Sequence, residues 1–134
     1  MKKLLLALLL VPIGFTACHK DKPLCEGDAN PMCTEELVTL RTRVTDVYGA
    51  PVMLDDYYTT RNSTGQQIRI GATIHDGEYP LLDDGFQTTL ACTQETFTFR
   101  GFKNGTEVVS ENYTIGADRC HVRLLKGSTQ LKAR

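Results

Sequence analysis

The stretch ETFTFRGFKNGTEVVSENYTI, residues 95–115, decides the fold class. Phe97 and Phe99 alternate with Thr96, Thr98 and Arg100. That period of two puts one face of a strand in a core and the other in water. Asn104-Gly105 interrupts the pattern with the residue pair that best tolerates the positive φ angles of a hairpin turn. The segment therefore reads as a β-hairpin, with two possible registers. A two-residue loop sets Phe99 opposite Ser110 and Phe97 opposite Asn112. A three-residue loop, Lys103-Asn104-Gly105, sets Phe99 opposite Val109 and brings Tyr113 onto the same face. A one-residue slip inverts a whole face, so the apolar pattern selects the three-residue loop.

The same patterning runs outward in both directions, with no long 3.6-residue stripe. Val38, Leu40 and Val44 share one face of a first strand, and Arg41, Arg43 and Thr45 the other. Gly49 and Pro51 mark a turn, Met53 to Thr60 continues as a second strand, and Asn62-Ser63-Thr64-Gly65 turns again. Gln66–Ala72 and Glu78–Leu82 are shorter candidates, the second an edge because Pro80 lacks an N–H. Arg119–Leu125 and Thr129–Lys132 supply the last strands, separated by Lys126-Gly127-Ser128. About seven short strands at this spacing predict an all-β, two-sheet antiparallel sandwich over residues 37–134.

The segment Val44–Val52, V-x-D-x-x-G-x-P-V, resembles the first hairpin of carboxypeptidase-regulatory-like and bacterial Ig-like modules. The resemblance implies a transthyretin-like or immunoglobulin-like Greek-key topology, found on exported bacterial proteins. It spans nine residues and chiefly encodes a turn.

The N-terminus reads as an address. Lys2 and Lys3 precede an apolar run from Leu4 to Phe15, short of the roughly 20 residues that span a bilayer. Phe15-Thr16-Ala17-Cys18 resembles the bacterial lipobox, which implies cleavage after residue 17 and acylation of Cys18. In lipoproteins generally, Asp after the lipidated cysteine favours inner-membrane retention. His19 stands there instead, so the outer membrane is expected. Residues 18–36 read as a lipidated polar tether and 1–17 as a signal peptide.

Of 134 residues, 15 are Lys or Arg and 16 Asp or Glu, and removal of the leader leaves a charge of −3. A nucleic-acid partner is excluded, because phosphate binding needs a basic surplus. Cys25, Cys33, Cys92 and Cys120 remain after Cys18 and suggest two disulfides in an exported chain. Loop closure favours Cys25–Cys33 and Cys92–Cys120, contributing about 2.6 and roughly 3.6 kcal/mol. The tether would then be held by one small disulfide loop. No CxxC or CxxH pair points to zinc.

Catalytic candidates are few. His19 lies in the tether, and His75 in a turn with Asp76 and Gly77. Cys120 and His121, as neighbours on an extended segment, face opposite ways and form no dyad. Asp55-Asp56 and Asp83-Asp84 read as solvated turn acids, with weak calcium binding the alternative. No nucleophile elbow or phosphate loop occurs. The expected metal, cofactor and catalytic sets are therefore empty. The aromatic residues include a candidate glycan platform, and three sequon matches, at Asn62, Asn104 and Asn112, read as accidental. Together these observations predict a monomeric, lipid-anchored envelope protein that binds a surface glycan or protein ligand. The alternative is a periplasm-facing subunit docking through a sheet edge.

Overall fold

The computed structural model describes residues 23–27 and 31–134. It is an all-β sandwich of two sheets, as the patterning predicts. One sheet has the order β4-β1-β8, formed by Glu78–Asp83, Thr39–Thr45 and Gln130–Lys132. The other has the order β3-β2-β5-β6-β7, formed by Gln66–Ile68, Asp56–Arg61, Gln94–Lys103, Thr106–Ala117 and Val122–Lys126. Eight strands thus stand among the described residues where about seven were expected. The strands after Pro51 and Gly65 are shorter than the pattern suggested. One pairing departs from the antiparallel expectation: β8 runs parallel to β1, with Val44 opposite Leu131. Strand β4 is an edge, as Pro80 requires.

The hairpin corrects the register. Lys103 pairs with Thr106, so the loop has two residues, Asn104 (φ 50°) and Gly105 (φ 74°). Positive φ at both places is the turn that matches strand twist. A bulge then leaves Val108 without an opposite number, and Gly101 faces Val109. Phe97 sits opposite Tyr113 and Phe99 opposite Glu111, rather than Val109. The short turn and the bulge together restore the parity of the longer loop. Phe97, Phe99, Val109, Tyr113 and Ile115 are accordingly all buried on one face, as expected, with different partners.

The core lies between the sheets, and aromatic rings join them. Tyr79 of β4 meets Tyr57 of β2 edge-on at 5.0 Å and tilts against Phe99 of β5 at 6.3 Å. Tyr113 of β6 donates to the Ser128 carbonyl at 2.7 Å, and its hydroxyl lies 3.0 Å from Thr42 Oγ1 in β1. Burial pushes the Tyr113 phenol up to about 12, outweighing the Thr42 hydrogen bond. The Tyr79 hydroxyl donates to the Val52 carbonyl (2.8 Å) and accepts from Leu54 N–H (2.7 Å). Tyr79→Phe leaves both backbone groups without that partner. It should cost about 2 kcal/mol in urea denaturation with an unchanged m-value.

The disulfides overturn the local pairing. Cys25 is bonded to Cys92 and Cys33 to Cys120, so each bond ties the N-terminal segment to the body. The entropic preference for short loops is about 2 kcal/mol here, which the native positions of the four residues override. The segment before β1 is not a coil closed on itself but a strap fixed at two points. Both bonds sit at one pole, with a short helix α1 (Gln87–Leu90) and the bend 118–121. Nothing in the strand pattern anticipated α1, whose Leu90 is fully buried.

Candidate functional site

The two poles differ in character. At the stapled pole Asp84 is the organising side chain. Its carboxylate accepts N–H bonds from Val38 and Val122, each at 2.8 Å, and lies 2.8 Å from His121 Nδ1. His121 Nε2 is in turn 3.0 Å from Thr34 Oγ1. Asp84 and His121 are mostly buried, 12% and 17% exposed at the side chain. The expectation of a solvated turn acid fails for Asp84. Its neighbour Asp83 does fulfil the turn role, accepting from Gly85 N–H at 3.0 Å. Partial burial raises the Asp84 pKa, but the Val38 amide, His121 and the Val122 amide outweigh it and hold the carboxyl below its usual value.

A hydroxyl, an imidazole and a carboxylate in line have the order of a nucleophilic triad. The nearby amides argue against that use. Cys120 and His121 N–H both donate to Asp118 Oδ1 at 2.8 Å, and Val122 N–H is held by Asp84. An oxyanion hole needs donors aimed at an empty position, and these are already engaged. Cys120 is held in its disulfide. The line therefore reads as a clasp, fastening the strap at Thr34 and Val38 to the bend after β6. Among the described residues no group of three His, Cys, Asp or Glu could hold a metal ion.

The opposite pole is built by the loop between β1 and β2, the Asn104-Gly105 turn and the end of β8. The loop is rigid for local reasons. Asp46 Oδ1 accepts from Tyr48 N–H (2.8 Å) and Ala50 N–H (2.9 Å), Gly49 N–H donates to Asp46 O (3.1 Å), and Pro51 bridges back to Thr45. Lys103 Nζ donates to the Met53 carbonyl at 2.9 Å, and Asp55 accepts the Asn104 N–H. This braced loop holds apolar side chains in water: Tyr48 is 93% exposed, Val47 67% and Met53 55%. Beside them is an open groove of about 540 Å³ lined by Val47, Pro51, Val52, Met53, Val108 and Lys103.

The other sequence candidates are scattered. His75 is exposed in its turn, and Asp56 pairs with Arg69 at 3.1 Å. Arg69 also lies 5.2 Å over the Tyr58 ring, which stacks on Phe102 at 5.6 Å. Tyr58 is thus already engaged rather than presented as a platform. Cys18 and His19 lie outside the described residues. No helix among those described is long and apolar enough to cross a membrane. The turn residues Asp46, Gly49 and Pro51 marked the exposed loop in the sequence, but nothing there distinguished Tyr48 from a core aromatic. No protein-family model, curated protein or solved structure matches this chain.

Proposed function

We propose that this chain is a lipid-anchored envelope protein, acylated at Cys18, whose sandwich is a non-catalytic binding or adhesion module. One observation carries the reading. Tyr48, Val47 and Met53 are held in solvent by a hydrogen-bonded loop at the pole farthest from the N-terminal strap. A rigid exposed aromatic on a scaffolded loop gives contact area at little entropic cost, as in binding loops elsewhere. The resemblance of Val44–Val52 to surface-displayed modules supports the same reading. Docking by strand addition has less support, because Pro80 and a register jump opposite Leu40/Arg41 interrupt the N–H row of the β4 edge.

The test is protease treatment of intact and lysed Gram-negative cells expressing the full chain, with Cys18→Ala as control. Cleavage of the body on intact cells is expected, and protection until lysis overturns surface display. For a ligand returned by a glycan and host-protein screen, Tyr48→Ala should weaken capture roughly tenfold or more, the scale of a central aromatic contact. Its melting temperature should stay within about 2 °C, because the side chain is out of the core.

A further inference from the structure

We propose that the stapled pole is a membrane-seating surface. Met32 and Leu37 rest on the bilayer that carries the Cys18 lipid, so the sandwich stands upright with Tyr48 outward. The inference rests on the lipid anchor proposed above and adds an orientation to it.

Chain length is the first argument. Cys25 is covalently fixed to Cys92 on the body, and it lies seven Cα–Cα steps along the chain from Cys18. A fully extended chain spans at most about 3.6 Å per residue, so this pole lies within about 25 Å of the acylated residue. A free coil reaching to residue 36 would allow roughly 60 Å and any orientation. The strap keeps the pole of the two disulfides close to the bilayer, and the surface chemistry then selects the upright arrangement.

The surface chemistry is the second argument. Among the described residues the exposed large apolar side chains are Met32, Leu37, Leu125, Val47, Tyr48 and Met53. The last three form the far pole, and Met32, fully exposed, and Leu37, 67% exposed, belong to the strap. Met32 adjoins Cys33, whose disulfide to Cys120 fixes its backbone, so its exposure is built in. It borders a groove of about 370 Å³ with Leu24, Glu26, Asp118, Arg119 and Arg123. Arg123 pairs with Asp118 at 2.7 Å, and Glu26 and Arg119 line the same groove. The exposed Glu35 and Glu36 between Met32 and Leu37 give this surface nothing to gain from anionic lipid, so its apolar side chains suit a zwitterionic headgroup layer. Attachment comes from the acyl chains, while Met32 fixes the tilt.

The chain contains no tryptophan, so Met32→Trp and Tyr48→Trp each create a single reporter. The full-length acylated variants are reconstituted in phosphatidylcholine–phosphatidylethanolamine vesicles, and flotation is scored first. Lipids brominated at the top of the acyl chain should remove about half the emission of Met32→Trp, whose ring would lie at the ~5–10 Å depth of interfacial side chains. Tyr48→Trp should keep its emission and remain open to iodide. Because tryptophan itself favours interfaces, Leu37→Trp is compared with Leu37→Trp/Met32→Asp, where the bromolipid quenching should fall. Protein that floats while Met32→Trp is as open to iodide as Tyr48→Trp overturns the seating and leaves the anchor standing. Undiminished quenching in the Met32→Asp background overturns the role given to Met32. Protein that does not float overturns the anchor, and the seating with it.

Discussion

Removing either disulfide, by Cys25→Ser/Cys92→Ser or by Cys33→Ser/Cys120→Ser, is expected to lower stability by nearly the same amount, about 4 kcal/mol. The equality follows from how the bonds interlock. Their sequence separations are 67 and 87 residues, and the first bond begins before the second and ends inside it. With one bond intact, the ends of the other are already joined by a path of roughly 36 residues, whichever bond is removed. Loop-closure entropy for that path gives the same loss twice. Local pairing would instead give unequal losses, about 2.6 and 3.6 kcal/mol, because its two loops are independent. Removing both bonds should cost about 8 kcal/mol, comparable with the whole stability of a domain this size, and leave the chain unfolded at 37 °C. Urea denaturation of the two double-serine proteins checks this. The m-value should rise in each, because the freed unfolded chain exposes more surface.

The cysteines show where sequence reading stops. Their number and the export expected from the N-terminus point to two bonds, but the pairing depends on where β5 and the bend after β6 come to rest beside the strap. That information is spread over the fold, whereas loop entropy separates the local from the observed pairing by only about 2 kcal/mol. The hairpin teaches a related lesson. Alternation determined which residues face the core, since burial selects parity. It could not determine partners, because the bulge at Val108 shifts register without changing parity. The β1–β8 pairing joins residues far apart in sequence by a parallel contact that no local turn announces. At the far pole Asp46, Gly49 and Pro51 announced a turn. The outward placement of Tyr48 depends on the Asp46 carboxylate gathering the amides of Tyr48 and Ala50.

Asp84, read as one of two turn acids, is where a single side chain should matter most. Asp84→Ala is expected to destabilise the fold by about 3 kcal/mol, since it strips charge-assisted hydrogen bonds from Val38 N–H, Val122 N–H and His121 together. Asp84→Asn should recover only part of this. An amide offers one acceptor oxygen, and its NH₂ must then face a donor. The pH dependence separates this role from simple packing. In the folded protein the Asp84 carboxyl titrates below its ordinary value of 3.8, after its hydrogen bonds overcome the effect of burial. A depressed folded pKa means that the ionised group's stabilisation is fully present above the unfolded value and is lost as pH falls through the folded one. Glu95, lowered from 4.5 to about 2 by Arg61 and Ser63, contributes in the same direction. The gap between the wild type and Asp84→Asn should therefore be widest near pH 7 and close as the pH falls below 4, with Glu95 untouched in both. Denaturation curves across that range decide the matter. A gap that stays constant would mean that Asp84 acts through its shape, and the clasp would then owe nothing to its charge.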